Sequence, residues 1–384
     1  MSDTALPETC LHLTTTLEAA DDGGRVTLAL REAPFPQPKD TQVVVQVEAT
    51  PINPSDLGVL FGYADTSQAQ ATGSGTEATL SVPVSAPGMA MMKGRIGQAL
   101  PAGNEGAGLV VAAGSSDASQ ALLGQRVATM GGGMYGQYRT AEAAMCLPLG
   151  EHSAREGASC FVNPLTALSF VETMRMEGHS ALVHTAAASN LGQMLVRICQ
   201  ADAVPLVNIV RRTKQAELLR GLGAEHVVNS ADTDFAAQLT DAIDATGATL
   251  GFDATGGGTL ANDILLAMEA AAARTPGAYS IYGSTHHKQV YLYGSLNFNP
   301  TTLNRGYGMA WGVGGWLLPN FMAKAGPEVQ MRLTMRVLAE LTTTFASHYA
   351  AEISLTDMMN PDMLAVYGVR STGKKYLVNP QLGL

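Results

Sequence analysis

No stretch of the sequence is apolar for long enough to cross a bilayer, so no membrane partner is expected. Cysteine is scarce. Cys10, Cys146, Cys160 and Cys199 stand far apart and form no C-x-x-C pair, which argues against a disulfide framework and a cysteine-rich zinc lobe. Each reads as a small buried apolar residue. Cations are few as well, 23 Lys and Arg against 33 Asp and Glu, for a formal charge of −10. Tracking a nucleic-acid backbone needs clustered cations, so nucleic acid is not an expected partner. The opening segment MSDTALPETCLHLTTT lacks a charged stretch followed by an apolar block. Without such a leader, the cytoplasm is the expected location.

What remains is a globular composition: 384 residues, 46% hydrophobic, with 41 glycines. At about 150 residues per domain, that length predicts two cores. Residues 1–150 read as β-rich, with 26–30 and 42–47 as strands around the proline-rich turn APFPQPKD. Residues 64–82, rich in Ala, Thr, Ser, Gly and Gln, read as a flexible excursion, and Met89, Met91 and Met92 as the lip of a hairpin. GNEGAGLVVAAG at 103–114 returns to strand. Residues 151–178 read as helices around the turn at 162–166.

Strands and helices then alternate. Strands are expected at 181–183, 206–210, 226–228, 249–253 and 279–282, with helices starting near Leu191, Thr213, Asp232 and Asn262. This alternation predicts an α/β architecture with a doubly wound parallel sheet. The segment 375–378 reads as a strand that rejoins the first domain.

Residues 182–212 organise that alternating half. After the apolar Leu182 and Val183, the chain runs from Thr185 to Asn190 without a long side chain, and Leu191, Met194, Leu195 and Ile198 then fall at helical spacing. Ala188, Ser189, Asn190 and Leu191 are thereby candidates to cradle a phosphate at a helix N-terminus. Gly192 sits where a Cβ would hold helix off sheet. Taken alone, the turn also fits a crossover with no ligand. About twenty residues past the turn an NAD site usually carries an acid for the ribose. This chain has Arg211 and Arg212 there, with Lys214 close behind, which points to a 2′-phosphate and hence NADPH. Ligand loops of such sheets follow the carboxyl ends of strands. Thr255 and Gly256 after 249–253, and Gly283 and Ser284 after 279–282, join the candidate set on that ground. QVYLYGSL at 289–296 alternates like an added strand and is expected to pair with its twin across a homodimer axis. Left exposed, it would be an aggregation hazard.

Six short motifs occur in order: INPSD at 52–56, GNEG at 103–106, VNPLTA at 162–167, NLGQ at 190–193, VNIVR at 207–211 and LGAEHV at 222–227. Through them the chain resembles the zinc-independent medium-chain dehydrogenase/reductase superfamily, its quinone oxidoreductases and, more closely, its trans-2-enoyl-thioester reductases. The likeness covers most of residues 25–300, while 64–100 and 300–322 stand outside it. It implies a Rossmann-type dinucleotide-binding domain over 151–344 and a GroES-like β-rich catalytic domain from 1–150 and 345–384. It also implies that Asn163 and Thr166 lie beside the nicotinamide and that Arg211 and Arg212 take the 2′-phosphate. The other reading of Asn163 and Thr166 is a turn and helix cap. The zinc ligands of the alcohol dehydrogenase branch are not matched. His12, His152, His179, His184 and His226 have no cysteine at fitting spacing and His286-His287 is a lone doublet, so no metal is expected and each histidine reads as a surface or supporting residue.

The implied chemistry adds hydride to an electrophilic carbon and stabilises and protonates the enolate that results. Tyr63, one residue earlier than the family's spacing, is the candidate acid, and Asn53 a candidate donor to the substrate oxygen. Against those roles, Tyr63 fits a pocket wall and Asn53 an Asn-Pro turn. Three functions stay open: an NADPH-dependent reductase of quinones or other activated double bonds in small molecules, a trans-2-enoyl-CoA or acyl-carrier reductase of fatty acid metabolism, and a non-catalytic NADPH-binding sensor or structural protein.

Overall fold

A computed structural model of the chain describes residues 6–21, 23–274, 280–369 and 375–383. The chain divides into two units, Met1–Val162 with Ala346–Leu384, and Asn163–Phe345. Residues 151–162 therefore belong with the first unit, where the helix Ala154–Gly157 packs on the strands Gln42–Pro51, Glu105–Ala113 and Arg126–Met130.

The first unit holds two sheets. In one, the strands run Gln70–Thr72, Thr79–Val84, Gly23–Pro34, Thr9–Ala20, Ala99–Pro101. Thr9–Ala20 pairs along its whole length with Gly23–Pro34, from Thr9 opposite Pro34 to Ala20 opposite Gly23. This strand escapes an apolar pattern because threonines take inward places. Thr14 and Thr15 are buried, and their hydroxyls donate to the carbonyls of Ala29 (3.3 Å) and Leu60 (2.7 Å). Buried polar groups persist where they are so bonded.

The flexible excursion expected at 64–82 is corrected by the two strands Gln70–Thr72 and Thr79–Val84. Leu80, Val82 and Val84 alternate inward onto Leu17, Val26 and Leu28. The methionines lie on a helix, Ala86–Met92, rather than on a hairpin. Ser85 Oγ accepts from the Gly88 N–H at 3.4 Å, Met89 and Met92 face the core, and Met91 faces solvent.

The second sheet runs Leu147–Pro148, Arg126–Met130, Glu105–Ala113, Gln42–Pro51, Tyr376–Val378, Ala351–Ile353, and Tyr138–Glu142 also pairs with Gln42–Pro51. Leu377 and Val378 oppose Pro51 and Thr50, so the C-terminal strand closes this unit as expected.

The second unit is built on six parallel strands: β1 (Leu182–His184), β2 (Leu206–Val210), β3 (His226–Asn229), β4 (Leu250–Asp253), β5 (Lys288–Leu292) and β6 (Trp311–Gly315). Their order is β3-β2-β1-β4-β5-β6, with every pairing parallel. That is the doubly wound order of dinucleotide-binding sheets, with its reversal between β1 and β4. Six helices accompany the strands: α1 (Val162–Met176), α2 (Asn190–Ala201), α3 (Thr213–Gly221), α4 (Phe235–Thr246), α5 (Leu260–Ala272) and α6 (Leu318–Ala339).

Val183, Val207, Ile209, Val228 and Val290 cover one face of the sheet and pack on Leu239 and Ile243 of α4 and on Ile264, Leu265 and Met268 of α5. α1 is buried on all sides from Asn163 to Met174. α6 breaks at Gly326, φ 83°, just before Pro327. Its second half is tied to α1 by Arg332 to Glu172 (2.8 Å) and to the end of α2 by Arg336 to Asp202 (2.9 Å).

Two expectations are corrected here. The segment 279–282 is not a strand: Tyr279 lies outside the described residues, and 280–282 enter a turn. The strand that follows β4 is β5, hydrogen-bonded to β4 on one side and β6 on the other. A strand paired on both edges has no ladder left for a twin, so the expected strand pairing across an axis is not open to Lys288–Leu292. The outer border of the sheet is β6, in which Gly312, Gly314 and Gly315 fill three of the five positions. Among the described residues no helix is long and apolar enough to cross a membrane. The four cysteines are unpaired, with Cys10, Cys160 and Cys199 buried.

Candidate cofactor crevice and a buried polar centre

β1 ends in His184, and the chain turns through Ala186 at φ 49° into Ser189, which caps α2 by accepting the Gly192 N–H on Oγ at 3.1 Å. A Cβ on Gly192 would lie 2.1 Å from the Ala187 carbonyl oxygen, so only glycine lets α2 approach the turn this closely. The first turn of α2, with Asn190 and Leu191, therefore presents its N–H groups and the positive end of its dipole at the carboxyl rim of the sheet. A phosphate group suits such a helix N-terminus.

At the carboxyl end of β2 stand Arg211 and Arg212, both exposed, and among the described residues neither guanidinium is paired with a carboxylate. Gln215 Oε1 accepts the Arg211 N–H at 3.2 Å and so fixes the backbone there. No acid takes the place that a ribose diol would use.

The loop after β4 is held from beneath. Asp253, fully buried, accepts the Thr185 hydroxyl (2.7 Å) and the N–H groups of Thr255 (2.8 Å) and Gly256 (3.1 Å). The amides of Thr255 and Gly256 thus point inward. What remains to offer a ligand here is the Thr255 side chain.

Asn163 and Thr166 are buried, one helical turn apart near the start of α1. One turn further along, Phe170 stacks on Phe252 (3.9 Å, 17°) and meets Tyr293 (4.8 Å) and Trp316 (4.9 Å) edge-on. His184 joins this layer through Nε2, 2.7 Å from the Tyr293 hydroxyl, while its Nδ1 is buried without a partner. Burial pushes the imidazole down to about 3, so His184 is neutral at physiological pH.

Gly283 and Ser284 are not part of this rim. They precede β5, at the amino ends of the strands, where the Ser284 N–H and hydroxyl donate to Glu269 (2.8 and 2.7 Å) and the buried Lys288 pairs with the same carboxylate at 2.7 Å. The sequence holds near-copies, Ile281-Tyr282-Gly283-Ser284 and Leu292-Tyr293-Gly294-Ser295, and only the second leaves a strand. The carboxyl-end glycine is therefore Gly294, whose Cβ would lie 2.6 Å from the Ala254 carbonyl oxygen. The YGS pattern was the available signal, present twice.

In the first unit, Asn53 and Tyr63 sit beyond opposite ends of the helix Pro54–Leu60. Asn53 is buried, and its amide donates to Glu105 Oε1 at 2.8 Å, which holds the side chain against the polar centre. Tyr63 is 38% exposed, with its N–H on the Met92 sulfur at 3.5 Å.

Around Asn53 lies a polar centre that local patterns do not reveal. Glu105 Oε2 accepts the N–H groups of Phe161 and Val162, each at 2.9 Å, capping the start of α1. Asp56 accepts the N–H groups of Asn53 and Asn104, each at 2.8 Å. Burial pushes Asp56 up to about 7; the two N–H bonds and the charge of Lys375 oppose that, and Glu105 reinforces it. Burial raises Glu105 too, with Lys375 pulling it back. Lys375 donates to Ser159 Oγ at 2.7 Å and is pushed down to about 8 by burial, against the attraction of Glu105 and Asp56. Among the described residues no group of three or more His, Cys, Asp or Glu could hold a metal ion.

No protein-family model matches the chain. It is 27% identical to mouse prostaglandin reductase-3 over 227 residues, 59% of this chain and 52% of that protein. Over 213 residues it is 28% identical to the mitochondrial enoyl-[acyl-carrier-protein] reductase of Xenopus tropicalis, 52% of this chain and 51% of that one. The chain thus spans about half the length of the curated relatives it matches. A solved structure assigned as an NADPH:quinone reductase of Mesorhizobium loti is 25% identical and superposes with a TM-score of 0.72, over 98% of this chain and 100% of that one. The chain is similar to these reductases over about half of its length and shares its fold with the quinone reductase over nearly all of it. In fold, the second unit is the Rossmann-type half and the first the GroES-like one. Its carboxyl rim brings together Ala188, Ser189, Asn190, Leu191, Arg211, Arg212, Thr255 and Gly256, and leaves out Gly283 and Ser284.

Proposed function

We propose that the protein is an NADPH-dependent oxidoreductase that delivers hydride to an activated double bond, in a quinone or an enone, without zinc. The observation that carries this reading is the pair Arg211 and Arg212 at the end of β2, beside a phosphate-sized turn and with no acid for a ribose diol. NADPH fits the residues present. The turn 185–190 with Gly192 would receive the pyrophosphate, the two guanidiniums the 2′-phosphate, and Asn163 and Thr166 the nicotinamide. When bound, the dinucleotide supplies the hydride.

The chain's own share is orientation and proton handling. The neutral His184 and the aromatic layer around Phe170 and Tyr293 make a dry floor for the crevice, which strengthens every charge interaction above it. In this reading polarisation of the acceptor oxygen falls to hydrogen-bond donors, and Tyr63 is the candidate acid.

A second reading, reduction of an enoyl thioester, is favoured by the likeness to the mitochondrial enoyl-[acyl-carrier-protein] reductase. In this reading the homodimer contact is assigned to β6, which stands at a border of the sheet. NADPH oxidation measured in parallel with a quinone, a simple enone and an enoyl-CoA tests the function. Turnover of the first two supports the main reading, and preference for the third the alternative. Binding of NADPH with no turnover of any overturns both.

A further inference from the structure

The crevice of the sheet lies where β1 and β4 run side by side, because successive connections leave that point in opposite directions. At this spot one pair of side chains joins the loops. Thr185 Oγ1, fully buried, donates to Asp253 Oδ1 at 2.7 Å and accepts the Ala254 N–H at 2.8 Å. Asp253 Oδ1 also accepts the Thr255 N–H at 2.8 Å, and Oδ2 the Gly256 N–H at 3.1 Å. The backbone carbonyl of Asp253 takes the Tyr293 N–H at 3.0 Å, which brings in the exit of β5. Three crossover loops thus meet on two residues.

A carboxylate is a poor neighbour for a phosphate, since like charges repel. Its presence is explained by geometry. A carboxylate accepts on both oxygens, and here three donors converge on it. An amide of the same shape would turn N–H groups toward at least one of those donors.

We propose that Thr185 and Asp253 are positioning residues that lock the phosphate turn after β1 to the loop after β4 before the dinucleotide arrives. Such pre-organisation removes the ordering cost from the binding step. The inference rests on the NADPH reading above and adds to it how the cradle is held.

The test uses the full chain and three variants, Thr185→Val, Thr185→Ser and Asp253→Asn, with NADPH affinity from fluorescence titration and amide exchange of residues 253–258 in the ligand-free protein. Thr185→Val keeps shape but loses the hydroxyl, which takes the side-chain acceptor from the buried Ala254 N–H and one of two donors from Asp253 Oδ1. It is expected to raise the NADPH Kd about tenfold or more and to speed exchange of the loop. Thr185→Ser restores both to within about threefold of wild type, since it keeps the hydroxyl. Should Thr185→Val not fold, Asp253→Asn carries the same expectation. Faster exchange with unchanged affinity overturns the proposal, because the pair is then structural alone. Weaker affinity with unchanged exchange overturns it as well, because the residue then contacts ligand without organising the loop. Failure of the wild-type chain to bind NADPH is a separate result that removes the underlying reading before any variant is compared.

Discussion

Replacing Gly192 by alanine adds one methyl group at the tightest point of the phosphate turn. In an open helix that exchange stabilises by about 1 kcal/mol. Here the new Cβ would lie 2.1 Å from the oxygen, 2.6 Å from the carbonyl carbon and 2.8 Å from the Cα of Ala187, all of it backbone, where 3.4 Å is an ordinary contact. No side chain can swing aside, so α2 and the turn must separate by about 1 Å, a displacement that in a positioning element costs on the order of 100-fold. The expected result is an NADPH Kd about 100-fold higher, equivalent to about 2.7 kcal/mol. Overpacking strain of roughly 1–3 kcal/mol should lower the midpoint of thermal unfolding by several degrees. The matched control is Gly58→Ala in the helix Pro54–Leu60, where a Cβ meets nothing within 4 Å and stability should rise by about 0.5–1 kcal/mol. Fluorescence titration and thermal melts of the three proteins decide it. If Gly192→Ala bound NADPH like wild type and melted no earlier, the close approach of α2 to the turn would not be what shapes the cradle.

Three further outcomes are expected. Arg211→Ala should weaken NADPH by one to two decades, as for a charge-assisted phosphate contact of about 1.5–3 kcal/mol, and leave NADH nearly unchanged; equal losses for both coenzymes would remove the phosphate assignment. Tyr63→Phe should lower turnover by roughly 100-fold with NADPH affinity intact, whereas unchanged turnover would make the ring a pocket wall. For Asp56, the folded value of about 7 lies above its ordinary 3.8, so its stabilising contribution is complete below the lower value and is lost as pH climbs to the higher, amounting to about 4 kcal/mol. Asp56→Asn should therefore flatten the decline in unfolding free energy between pH 4 and pH 7, and denaturant curves that stay parallel across that range would show that Asp56 does not titrate there.

How legible the molecule was depends on which interactions shape each part. The parallel sheet could be read because its strands are buried on both faces and appear as apolar runs such as Leu206–Val210, spaced by helices. Thr9–Ala20 was hidden because threonines fill inward positions there, satisfied by partners that local pattern cannot show. Thr79–Val84 did alternate, and only the polar composition around it concealed the strand. Two near-identical YGS segments both read as the end of a strand, and only the second follows one. The polar centre joining Asn53, Asp56, Glu105 and Lys375 depends on residues more than three hundred positions apart, beyond the reach of any periodicity. The candidate rim could be proposed from the sequence mostly because a phosphate cradle is made by consecutive residues.

The border strand Trp311–Gly315 has one further consequence. It carries neither charge nor proline, the devices that usually discourage another chain from adding to a sheet. One residue beyond it, the Trp316 ring already leans on Phe170, inside the floor of the crevice. Copies that meet along this margin would obey mass action, so melting temperature should climb with protein concentration, and coenzyme and self-association would be thermodynamically linked through a single indole.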